Sequence, residues 1–157
     1  RLESVARHFT SQIDGMEGKT YLERLHDLRP YSQQRRHERY MIILLWKIAQ
    51  GFVQGYDVNF FLNPGEEAIV HFYPARSPPP VRKAREASLS VRGAKLFNCI
   101  PLELRSMEGT VEHFKAELDT WLSTVPDEPT APGCPRAALT NSLLDQAALY
   151  HLPIPTL

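Results

Sequence analysis

A chain of 157 residues, 43% hydrophobic and 23% charged, is ordinary for a globular protein and long enough to bury a core. Its 18 basic and 18 acidic residues cancel, so no overall charge dictates a partner. Cys99 and Cys134 are too few for a disulfide framework and lack the Cys-x-x-Cys or Cys/His spacing of a zinc site, and the longest apolar run, Met41 to Trp46, is far shorter than the ~20 residues that cross a bilayer.

Leu2, Val5, Phe9 and Ile13 recur at the spacing of one helical face, and Gly15 with Gly18 would close that first helix. Leu22, Leu25 and Leu28 repeat on one side of a second, short helix from Tyr21 to Leu28, stopped by Pro30. Ser32 is placed to cap the longest helix, from Gln33 to about Gln50. Its stretch from Tyr40 to Ile48 is apolar on nearly every side and demands partners all round, which makes it the centre of an N-terminal three-helix cluster.

Residues 56–87 read as an irregular, basic and proline-rich connection, with Ala68 to Tyr73 resembling a strand between the breakers Pro64-Gly65 and Pro78-Pro79-Pro80. Leu89 and Val91 alternate and predict a short β element over Ser88 to Arg92, ahead of the apolar anchors Leu96, Phe97, Ile100, Leu102 and Leu104 around Pro101. Thr110 can cap an amphipathic helix whose Val111, Phe114, Leu118, Trp121, Leu122 and Val125 share one stripe before Pro126. From residue 127 the prolines predict a flexible tail, with one weak helix between Ala137 and Tyr150. The expected fold class is mainly α, with a helical cluster at 1–55, a strand-plus-helix module at 88–126 and a proline-rich tail at 127–157. The chain starts at Arg1 with no signal-peptide pattern, and it reads as a piece of a longer frame.

Charge is unevenly spread despite the neutral total. Residues 1–50 carry nine Lys/Arg against six Asp/Glu and residues 76–105 seven against two, whereas 51–75 carry none against three and 106–157 two against seven. Arg35, Arg36 and Arg39 crowd the start of the longest helix, and Arg82, Lys83, Arg85, Arg92 and Lys95 form a second basic group. Guanidinium forks fit phosphate oxygens, so these eight residues are the candidate nucleic-acid contacts; the other readings are a solvated basic face pairing with Glu38 and nearby acids for the first group and a solubilising loop for the second. Cations at a helix N-terminus are unfavourable without an anion, which points to an anionic partner for the first group. The six histidines are scattered, and Glu23 with His26 or His113 with Glu117 gives half a metal site at most. No Asp-Asp pair, glycine-rich phosphate loop or nucleophile elbow occurs, so no catalytic residue is assigned.

Several landmarks follow one another in a recognisable order. Val91-Arg92-Gly93, Leu96-Phe97-Asn98, Pro101 and Leu104-Arg105 fit a Val-Arg-Gly-x-x-Leu-Phe-Asn-x-Leu-Pro-x-x-Leu-Arg pattern. Before it stand Leu2-Glu3-Ser4-Val5-Ala6-Arg7-His8-Phe9-Thr10, Tyr21 with Arg24-Leu25, Tyr31-Ser32, Arg35-Arg36 and Trp46-Lys47-Ile48; after it stand Phe114-Lys115, Leu118-Asp119, Leu122 and Pro126 to Pro129. Together they resemble the region downstream of the polymerase domain in reverse transcriptases of jockey-like non-long-terminal-repeat retrotransposons. Ala6, where the family usually has glutamine, and Gln33, where it often has leucine, depart from the pattern.

The resemblance implies an accessory segment of an RNA-directed DNA polymerase, encoded by a transposable element and abutting the polymerase thumb. Its partners would be the polymerase domain of the same polypeptide and RNA or RNA/DNA duplex, with no membrane. Divalent metal would belong to the polymerase domain alone, since the family's Tyr/Phe-x-Asp-Asp centre has no counterpart here, and this chain needs no cofactor of its own. An intracellular, nuclear or cytoplasmic setting is implied by the family only. A non-enzymatic helical interaction module and an inactive retrotransposon relic are the alternatives.

Overall fold

The computed structural model describes residues 2–55, 83–84, 86–127 and 141–149. Their helices are α1 (Leu2–Ser11), α2 (Tyr21–Leu28), α3 (Gln33–Ala49), α4 (Ala94–Cys99), α5 (Leu102–Arg105), α6 (Val111–Leu122) and α7 (Leu143–Leu149), with a π-helical turn over Leu89–Gly93 leading into α4. The expected mainly helical class is what the described residues show. The Ala68 to Tyr73 strand and most of the connection at 56–87 lie outside them.

Helix starts follow local chemistry. The Thr20 hydroxyl accepts the Glu23 N–H at 3.3 Å while Glu23 Oε2 accepts the Thr20 N–H at 2.6 Å, a reciprocal capping box that fixes α2. Ser32 Oγ accepts the Arg35 N–H at 3.1 Å and Thr110 Oγ1 the His113 N–H at 3.2 Å, so both caps read from the sequence are formed. Helix α3 ends where Gly51 turns to φ +74°, a conformation that costs glycine little.

One core joins the two halves of the described chain. Ile42, Leu45, Trp46 and Ile48 of α3 pack with Leu96, Phe97 and Ile100, with Phe114, Leu118 and Leu122 of α6, and with Leu143 of α7. Trp46 and Phe114 stack at 4.4 Å between ring centroids with planes 7° apart, and Trp46 Nε1 donates to the Met107 carbonyl at 3.0 Å. Each such large side chain contributes about 1.5–3 kcal/mol on burial. Helix α3 is thus central, though not covered all round: Tyr40 and Leu44 are exposed.

Two expectations are corrected. The β element over Ser88 to Arg92 is helical, with the Arg92 N–H bonded to the Ser88 carbonyl at 2.8 Å. Alternation over two apolar residues does not distinguish strand from helix, and no strand among the described residues would pair with it. The wider turn also buries Val91 and sets Gly93 against Leu45 of α3. The flexible tail is contradicted at 141–149, where Asn141, Ser142, Leu143 and Gln146 are buried and α7 packs on α4. Proline content described the tail's composition but missed the Leu143 anchor and the carboxylate that receives it.

Candidate functional site: an internal arginine network and an open α1 groove

Most of the arginines on and around α3 are turned inward. Arg35 is fully buried and donates from Nη2 to the Pro126 carbonyl at 2.8 Å. Arg39 makes two parallel bonds of 2.6 Å to the Asp119 carboxylate, and these hold its guanidinium more firmly protonated than usual. Tyr31 donates to the same carboxylate at 3.0 Å; burial and Asp119 together raise its phenol to about 12. Arg92 donates to Glu38 Oε1 at 2.7 Å.

Glu38 is the hub. Its fully buried carboxylate also accepts from Gln34 Nε2, from Ser142 Oγ at 2.9 Å and from the Leu143 N–H at 2.8 Å. A buried carboxylate must be paired and hydrogen-bonded to be tolerated, and these four donors meet that demand. The last of them is an N-terminal amide of α7, whose orphan donors favour an anion.

At the α3 N-terminus, Asp127 accepts the Ser32 N–H at 2.7 Å and the Ser32 hydroxyl at 2.6 Å, while Asn141 donates to Ser32 Oγ at 2.9 Å. Glu3 Oε2 accepts the Gln33 N–H at 2.9 Å. Glu3 and Asp127 thus bring two carboxylates to the end of the helix where the arginines crowd.

The eight candidate nucleic-acid contacts separate accordingly. Arg35 has no surface to offer a phosphate, and Arg39 and Arg92 are engaged with Asp119 and Glu38. Arg36, Lys83 and Lys95 are exposed, while Arg82 and Arg85 lie outside the described residues.

The sequence reading placed Glu38 on a solvated face as a partner of the arginines, not as a buried hub, and it missed the roles of Asp119 and Asp127. A signal for Glu38 existed: it shares a helical face with Met41, Ile42 and Leu45, and an acid on an apolar face needs a buried partner.

Helix α1 is held firmly yet leaves its apolar face open. Glu3 Oε1 accepts the Tyr21 hydroxyl at 2.6 Å. Arg24, itself buried, donates to Thr10 Oγ1, to the Lys19 carbonyl and to the Arg7 carbonyl at 2.8–3.2 Å. These bonds clamp both ends of α1 to α2 and α3. Leu2, Val5 and Phe9 nevertheless remain 73%, 64% and 66% exposed.

Beside them runs a groove of about 420 Å³, floored by Leu25 and Leu28 of α2 and bordered by Arg36 of α3. A second depression, about 880 Å³ between α2 and α6, includes Asp119 and Asp127, whose carboxylates are already occupied.

Other chemistry is sparse among the described residues. No three His, Cys, Asp or Glu side chains gather into a metal-holding group. Cys99 is buried, and desolvation pushes its thiol up to about 12, far from thiolate reactivity. No helix among the described residues is long and apolar enough to cross a membrane. Comparison with known proteins finds no matching family model, no matching curated protein and no matching solved structure.

Proposed function

We propose that this chain is a non-enzymatic helical docking module, of the kind that follows the polymerase domain in a jockey-like reverse transcriptase, and that it supports that polymerase through protein contact. The observation that carries the docking role is the α1 face: Leu2, Val5 and Phe9 are exposed on a helix that Glu3 and Arg24 hold rigidly in place. Exposed apolar residues in a row, on an element that does not have to order itself first, favour association over solvation. The polymerase assignment rests on the ordered landmarks from Leu2 to Pro129, including Val91-Arg92-Gly93 and Leu96-Phe97-Asn98.

Contact with RNA or RNA/DNA phosphates falls to Arg36, Lys83 and Lys95 in the described set, since Arg35, Arg39 and Arg92 are bonded internally. Structured RNA bound at low salt no better than by a neutral control protein would remove it. The polymerase context is tested by translating the transcript upstream of Arg1. An uninterrupted frame carrying a Tyr/Phe-x-Asp-Asp centre supports it; a stop codon or an unrelated exon leaves a repurposed module or a relic.

A further inference from the structure

We propose that the α1 groove takes an amphipathic helix of the polymerase domain proposed above as its partner, one that sets bulky apolar side chains against Leu2, Val5 and Phe9 and a carboxylate against Arg36. This rests on the docking role argued above and specifies the chemistry of the partner.

The spacing selects a helix. Leu2, Val5 and Phe9 stand at i, i+3 and i+7 and span about 10 Å along α1, two helical turns. A partner helix with apolar residues at i, i+3 or i+4, and i+7 repeats that interval and can interdigitate with it, while Leu25 and Leu28 supply the floor.

Charge selects the acid. Arg36 is the charged residue lining the groove, and it is exposed. Its Nε donates to the Tyr31 carbonyl at 3.1 Å, which ties the guanidinium to the groove edge. A carboxylate there gains a charge-assisted, two-pronged bond, and a lysine or arginine is repelled. Tyr40 and Leu44, both exposed, lie one and two turns beyond Arg36 on the same side of α3 and extend the apolar track.

A second copy of this chain is a poorer occupant. The one acid of its α1, Glu3, is already held by Tyr21 and Gln33 and brings no free carboxylate to Arg36.

The test is selection from a library of ~14-residue helical peptides, long enough to cover the groove and the Tyr40 extension, against the full chain and its Arg36→Glu variant. Affinities of the enriched peptides are then measured by fluorescence anisotropy. Peptides enriched on the natural chain are expected to share the i, i+3 or i+4, i+7 apolar pattern with Asp or Glu at one flank. They are expected to lose about tenfold or more in affinity on Phe9→Asp. On Arg36→Glu the same flank position should turn to Lys or Arg. Val5→Asp replaces Phe9→Asp if the latter lowers the folded fraction.

An identical consensus on both chains overturns the acidic partner and leaves the docking face standing. Peptides indifferent to both Phe9→Asp and Val5→Asp overturn the docking face as well. Sedimentation showing a dimer that Phe9→Asp dissolves assigns the groove to a second copy. Binding to anionic vesicles that Phe9→Asp abolishes assigns it to a lipid surface. Either result overturns the proposal.

Discussion

Glu38 and Leu143 meet at 2.8 Å, carboxylate oxygen to backbone N–H, although 105 positions separate them in the chain. This bond, with those from Ser142 and Arg92 to the other carboxylate oxygen, fastens α7 to the central helix. Glu38→Ala strands these donors and is expected to cost about 3 kcal/mol. Glu38→Gln keeps the shape but points an amide N–H₂ at one donor, and is expected to cost about 1–2 kcal/mol. Urea unfolding midpoints of the two variants test the order; equal, negligible losses would show that α7 is not held this way.

The Arg39–Asp119 pair links α3 to α6 through two parallel bonds of 2.6 Å. The Asp119 side chain is 38% exposed, so solvent screens the pair and its coupling is expected to be about 1 kcal/mol in a double-mutant cycle of Arg39→Ala with Asp119→Ala. The coupling should shrink in high salt. Arg39→Lys is expected to recover little of it, because an ammonium cannot match the planar fork.

Gly93 shows why a small residue stands in the Val91-Arg92-Gly93 motif. A Cβ added there would sit 2.8 Å from Leu89 Cδ1 and 3.1 Å from Leu45 Cδ1. Leu89 can swing aside, and alanine favours a helical backbone, so Gly93→Ala is expected to cost about 1 kcal/mol. Gly93→Val, too wide for either adjustment, should cost clearly more. Thermal unfolding of both variants measures the difference.

Alkaline pH should weaken the fold through its buried thiol and phenols. Burial raises Cys99 from 9.0 to about 12, and burial with Asp119 raises Tyr31 from 10.0 to about 12; Tyr21 is likewise raised, by burial and its bond to Glu3. Below the ordinary value of 9.0 for Cys99, folded and unfolded chains hold the same protons on these groups and stability is flat. Above it the unfolded chain releases protons that the folded chain keeps, so stability falls towards pH of about 12. Cys99→Ala is expected to delay the onset of that fall to the tyrosine range. Denaturant midpoints measured from pH 7 upwards check it.

Local signals in the sequence read well, and distant ones did not. Tyr21–Leu28 and the Ser32 and Thr110 caps follow from residues within one turn of each other, and the structure shows all three. The Ser88 to Arg92 turn was misread because two alternating apolar residues, Leu89 and Val91, fit a strand and a helical turn alike. The inward bonds of Arg35 and Arg39 were not legible either, because their partners are distant in sequence. Guanidinium groups at the start of α3 look available for phosphate until Pro126, Asp119 and Glu3 are brought to that end of the helix. The face of α1 was legible as apolar, but its spacing alone could not reveal that Leu2, Val5 and Phe9 point away from the core.

The central claim, that the α1 face docks on protein, is tested most directly by titrating the natural chain and its Phe9→Asp variant with the separately produced polymerase domain of a jockey-like reverse transcriptase. Phe9 is 66% exposed, so the substitution should leave the unfolding midpoint within about 0.5 kcal/mol of the natural chain while weakening binding about tenfold or more. Equal binding by the two chains, or no binding by either alongside salt-dependent RNA binding that Arg36→Ala removes, would contradict it.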